Sequence, residues 1–158
     1  MEEETKKKIK LSKKAKIILI SIILIIGLIV FFVVHEFSFE TKMFVNWNVV
    51  VPRNNKNEFK TEYSNQKEKI NYTVISYDDL TKIDSKITWS TKQIFTHNYD
   101  NYNDVINNVY TKITVNDKYK IEYDKCLYNY KKKEKSELFM YLNRDKKLVY
   151  FIEILELD

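Results

Sequence analysis

The stretch ELFMYLNRDKKLVYFIEILEL, Glu137 to Leu157, decides the fold. It reads as two strands, 137–143 and 147–157, joined by the turn residues Arg144, Asp145 and Lys146. Side chains alternate between the two faces of a strand, so residues two apart share a face. In the first strand Leu138, Met140 and Leu142 fall on one face and Phe139 and Tyr141 on the other. In the second, Leu148, Tyr150, Ile152 and Ile154 oppose Val149, Phe151 and Leu155. Both faces are apolar, and such strands need cover on each side. Helices supply one cover; N-terminal strands, a partner subunit or a membrane surface are the candidates for the other. A two-layer core with some exposed tyrosine is the simplest architecture that satisfies this, and a homodimer or protein partner through this C-terminal sheet is the alternative.

Upstream, DKYKIEYDKCLYNY (117–130) alternates at Tyr119, Ile121 and Tyr123 and predicts a third strand, turned by KKKEKS. EKINYTVISY (68–77) is a strong strand, rich in β-branched and aromatic residues. NWNVVV (46–51) reads as an opening strand and NEFKTEYS (57–64) as a weak one. Between them the period changes. Leu80, Ile83 and Ile87 predict a helix over 79–89, capped by Asp78 or Asp79. Tyr102, Val105, Ile106, Val109, Tyr110 and Ile113 predict a second, capped by Asp100 or Asn101. The expected class is α+β, an antiparallel sheet with two helices in the order β-β-α-α-β-β-β.

IILISIILIIGLIVFFVV, Ile17 to Val34, stands ahead of this domain. Of its 18 residues, 16 are Ile, Leu, Val or Phe, and none is charged. As a helix it is roughly 27 Å long, close to the ~30 Å hydrocarbon core. Insertion into a bilayer is favourable by roughly 5 to 10 kcal/mol. Seven lysines lie within residues 1–16, whereas His35 and Glu36 open the far side, so the positive-inside rule places the N-terminus in the cytoplasm. The run exceeds the usual length of a signal peptide core, and VVHEFSFETKMF has no small-x-small cleavage site. The expected organisation is a basic cytoplasmic tail (1–16), an uncleaved transmembrane signal anchor (17–35), a stalk (36–47) and an extracytoplasmic domain (48–158). A cleaved secreted protein is the alternative.

The net charge of +5 is mostly a topogenic signal. Residues 36–158 hold 20 Lys plus Arg against 19 Asp plus Glu, so the outer domain is nearly neutral and nucleic acid is not an expected partner. One glycine and one proline in the whole chain exclude glycine-rich phosphate loops and dinucleotide fingerprints. Turns must use other residues, asparagine foremost. Abundant Lys, Asn, Ile and Tyr match an A/T-rich genome, the simplest source of the 12 tyrosines.

Chemistry-bearing residues are few. Ser90, His97 and Asp100 contain the residue types of a nucleophilic triad, without a nucleophile elbow. Asp78, Asp79 and Asp84 lack the glycine and spacing of a calcium loop. Cys126, the one cysteine, allows no intramolecular disulfide. YKKKEKSE (130–137) interleaves its lysines with Glu134 and Glu137, as a solvated hairpin tip does. No catalytic, cofactor or metal site is expected.

NWNVVVPRNNKNEFKTEY and EKINYTVISYDDLTKIDSKITW together resemble a group of small uncharacterised exported or membrane-anchored proteins of low-GC Gram-positive bacteria. Members pair a proline-marked strand start with a second strand ending near tyrosine, then a short helix closing on tryptophan. They finish with a Tyr-rich strand. Where that group often carries a His-Gly-Asp-Gly type turn, YSNQKEK has neither His nor Gly. The resemblance covers about 45 residues. It implies a Gram-positive cell-surface setting and supplies no activity. The expected function is a non-enzymatic, membrane-anchored interaction or binding module, held in the bilayer through Ile17–Val34. A hydrolase of envelope polymers is the competing expectation.

Overall fold

A computed structural model describes residues 12–36, 38–91 and 101–157. Helix α1 (Lys13–Glu36) carries the apolar run, and its Lys13–Phe31 portion is long and apolar enough to cross a membrane. None of that portion is buried within the chain.

Helix α2 (Phe39–Trp47) follows after two residues. Ser38 starts it: its backbone is extended and its hydroxyl accepts the Thr41 N–H at 3.2 Å. Asn48 ends it in the left-handed conformation (φ 52°), donating its N–H to the carbonyl oxygen of Phe44 at 2.9 Å. Glycine usually takes this position, and in a chain with one glycine asparagine stands in. Residues 36–47 were expected as a stalk and 46–51 as a strand. Instead Met43 and Trp47 are buried against the sheet, and Val49 and Val51 continue inward as extended chain outside the ladder. The helix period of Phe39, Met43 and Trp47 (i, i+4, i+8) carries this segment to the core, overriding the strand propensity of its valines.

Five antiparallel strands form one sheet in the order β1-β2-β5-β4-β3. They are β1 (Asn55–Ser64), β2 (Glu68–Tyr77), β3 (Cys126–Lys133), β4 (Ser136–Asn143) and β5 (Leu148–Glu156). The hairpin β4–β5 is as expected, with Asn143 opposite Leu148 and Glu137 opposite Ile154. Strand β5 is central, paired to β2 on its other side. The exposed edges are charged: Lys131, Lys132 and Lys133 on β3, and Lys56, Glu58, Lys60 and Glu62 on β1. Such residues discourage further strand pairing.

Helix α4 (Tyr102–Lys112) covers one face. Asn101 caps it, its side-chain oxygen Oδ1 accepting the Asn103 and Asp104 N–H groups at 2.9 and 3.0 Å. Val105, Ile106 and Val109 then pack on Ile70, Tyr72, Tyr141, Tyr150 and Ile152. The opposite face is covered by α2, by Val49 and Val51, and by Ile83 and Ile87. The expected two layers are therefore three, with the sheet in the middle. Two-sided apolar strands require it, and α2 meets the requirement from within the chain.

Two other segments differ from expectation. Helix α3 is a single turn (Thr81–Asp84) rather than 79–89, because the chain returns to pair Ser90 with Tyr128 beside β3. The strand expected over 117–130 begins only at Cys126. Before it lie two turns of 3-10 helix, 117–119 and 123–125, the first opened by the Asn116 side chain accepting the Lys118 N–H at 3.0 Å. An asparagine or aspartate that bonds its neighbours' backbone competes with ladder formation. Tyr72, Tyr77, Tyr128, Tyr141 and Tyr150 are buried core residues.

Candidate functional site

Glu153 is the lone charge in the apolar run of β5, and it is buried. Its phase places it on the α2 side of the sheet with Phe151. The indole N–H of Trp47 donates to Oε1 at 2.7 Å, and the Asn71 side-chain amide donates to Oε2 at 3.3 Å. The register builds a row across three strands, Glu62 opposite Asn71 and Asn71 opposite Glu153. At ~4.8 Å per strand, the two glutamate backbones lie about 10 Å apart. Lys60 opposite Thr73 adds a second polar row.

These rows form the floor of a cleft of about 250 Å³. Helix α2 forms one wall through Phe39 and Lys42, and Lys69 and Asn57 complete the rim. Lys69 reaches Glu62 at 3.1 Å. That ammonium, hydrogen-bonded to Glu62, holds its carboxyl below the usual range, and the charges of Lys60 and Lys42 add to the effect. Three lysines and two glutamates around neutral amides and a hydroxyl can recognise a small, polar, charge-bearing group by hydrogen bonds. Phe39 is the cleft's aromatic contact.

The residues singled out from sequence lie elsewhere. Ser90 pairs through its backbone with Tyr128 (2.9 and 2.8 Å), and His97 and Asp100 lie outside the described residues. Leu80 is the N-cap of α3, without a side-chain cap bond; Asp79 before it accepts from the Thr81 N–H at 3.0 Å and its hydroxyl at 2.6 Å, bonds that hold its carboxyl low. Asp84 takes a two-pronged pair from Arg144 at 2.9 and 3.1 Å. Among the described residues no three His, Cys, Asp or Glu side chains gather as metal ligands do. Cys126 is buried at the start of β3, and burial pushes its thiol up to about 12. Of the basic run, Glu137 turns inward, buried, and accepts the Tyr130 hydroxyl at 2.5 Å. The apolar faces of β4 and β5 are covered by this chain's own α2, α3 and α4.

The cleft was not foreseen. Its sequence signal was Glu153 itself, a charge in phase with buried neighbours of a central strand, where an unpartnered charge is costly. Its partner Trp47 lies 106 residues away, and sequence spacing cannot join them. Compared with models of known families, with curated proteins and with solved structures, the chain matches none.

Proposed function

We propose that this chain is a single-pass membrane protein whose outer domain is a binding module at a bacterial cell surface. Its N-terminus is cytoplasmic, and the cleft beside α2 is its ligand site. One observation carries the reading. An apolar helix whose Lys13–Phe31 portion is nowhere buried ends two residues ahead of a domain that has buried its own apolar faces. Among the described residues the large hydrophobics exposed outside α1 are Phe44, Val45, Val50, Tyr123 and Leu157, so a bilayer is the natural solvent for that helix. The lysines before Ile17 support the orientation.

Binding rather than turnover fits a cleft whose carboxylates are already engaged, Glu153 by Trp47 and Glu62 by Lys69. The row of Glu62, Asn71 and Glu153 favours a second reading, a hydrolase using the two carboxylates on an envelope polymer. Light cross-linking, separation of membrane from medium, and sizing on a gel test the first. Full-length protein in the membrane with a larger cross-linked band supports it. A species shortened by roughly 35–40 residues in the medium, as cleavage after the apolar run produces, contradicts it. Release of fragments from purified cell wall, lost in Glu153→Gln, would favour the hydrolase.

A further inference from the structure

We infer that the outer face of α2 lies on the lipid surface, docking the domain flat against the membrane that α1 crosses. The inference rests on the anchor reading above. Helix α2 has two apolar sides. Met43 and Trp47 face the sheet and are buried. Val45 is two positions from each, roughly 200° around the helix. It is 67 % exposed, and Phe44 is 55 % exposed. Val50, between the buried Val49 and Val51, also points outward and is 43 % exposed. A nine-residue helix that exposes Val45 opposite its packed side and Phe44 on the flank has an unpaired apolar surface.

The tether decides what covers it. Only two residues separate Glu36 from Phe39, so those two Cα atoms are at most about 11 Å apart. Val45 is six residues further, about 9 Å along the axis. Whatever the angle between α1 and α2, Val45 stays within about 20 Å of the end of α1. The 24-residue α1 is about 36 Å long against a ~30 Å hydrocarbon core, so its last turn already stands among headgroups. A short helix held there with apolar side chains outward matches an interfacial helix, whose apolar face sinks about 5–10 Å into the headgroup and acyl boundary. Lys42, on the cleft flank of the same helix, then stands at headgroup level, and the cleft opens beside the lipid surface.

Full-length protein reconstituted in vesicles of phosphatidylglycerol and phosphatidylethanolamine tests this. Spin labels are placed at Val45→Cys, Phe44→Cys, Leu24→Cys and Asp145→Cys, one at a time, leaving the buried Cys126 in place. Collisions with oxygen and with a water-soluble nickel chelate are then compared. Docking predicts that labels at Val45 and Phe44 meet the chelate at least roughly threefold less often than at Asp145, as burial at the boundary requires. Equal chelate access at 44, 45 and 145 with Leu24 shielded overturns docking and leaves the anchor standing. Chelate access at Leu24 overturns the anchor and docking together. Dipolar broadening between labels at Val45 places a second copy there and overturns the lipid assignment.

Discussion

The indole N–H of Trp47 donates to the buried carboxyl of Glu153 at 2.7 Å, joining the helix that follows α1 to the central strand across 106 residues. This bond closes the floor of the cleft and fixes α2 on the sheet. Removing the donor leaves a buried carboxyl with the longer Asn71 contact alone. Trp47→Phe is therefore expected to cost about 1–3 kcal/mol in denaturant unfolding. Trp47→Phe combined with Glu153→Leu is expected to recover part of that loss, since removing both partners spares the desolvation penalty. A double variant less stable than the sum of the singles would contradict the assignment.

Helix α2 is also predicted to be integral to the domain. Met43 is fully buried in the cluster with Leu138, Met140 and Phe151. Met43→Ala should lower stability by about 2–5 kcal/mol. A chain starting at Ser38 is expected to unfold cooperatively. One starting at Asn48 should show an exposed apolar sheet face by dye binding. Equal melting of the two fragments would return 39–47 to the role of a stalk.

Among the described residues, three other than glycine hold positive φ: Asn48 (52°), Glu134 (55°) and Lys147 (52°). Glu134 is the first of two residues closing the β3–β4 hairpin, where Lys133 opposes Ser136. Glycine leads at that position in the tight hairpin turns. Glu134→Gly should raise stability by up to about 1 kcal/mol, the relief of the left-handed strain less the added chain entropy. Asn48→Val should lower it by about 1–2 kcal/mol, because a β-branched residue resists this conformation. Thermal melts of both variants check the pair.

Burial pushes the Cys126 thiol from 9.0 up to about 12, and burial likewise raises Tyr72, Tyr77 and Tyr150 above the ordinary tyrosine value. These groups are neutral in the fold and ionise more readily once unfolded. Their contribution is fully present below the unfolded values and is lost as pH rises toward the folded ones. Stability is thus expected to fall from about pH 9 upward, with tyrosinate absorbance and loss of ellipticity rising together. Cys126 should resist a maleimide at neutral pH and react after unfolding. Tyrosines titrating singly with the fold intact would contradict this.

The hairpin of residues 137–157 was legible because its pattern is local: two apolar faces and one turn. So were β2 and α4, whose periods are unambiguous and whose cap at Asn101 stands next to its stripe. What was not legible depended on distance. Phe39, Met43 and Trp47 show helical spacing, but the following valines read as a strand until the uncovered face of β4 and β5 is known to need them. Thr81–Asp84 stops after one turn because Ser90 pairs with Tyr128, a tertiary event. Glu153 was visible as an odd charge, yet the cleft around it needs Glu62, Asn71 and Lys42 from three other elements. The both-sided pattern did state that two covers were required; it could not say that both come from one chain.

We propose a domain that stands outside the cell on an anchor that is kept. An Asp145→Cys variant, exposed in the β4–β5 turn, reports this directly, since Cys126 is buried and silent. Intact cells are treated with a membrane-impermeant maleimide, then fractionated and sized. The account predicts a labelled, full-length band in the membrane fraction before lysis. Labelling only after lysis, or a labelled band shorter by roughly 35–40 residues in the medium, as signal-peptide removal produces, would contradict it.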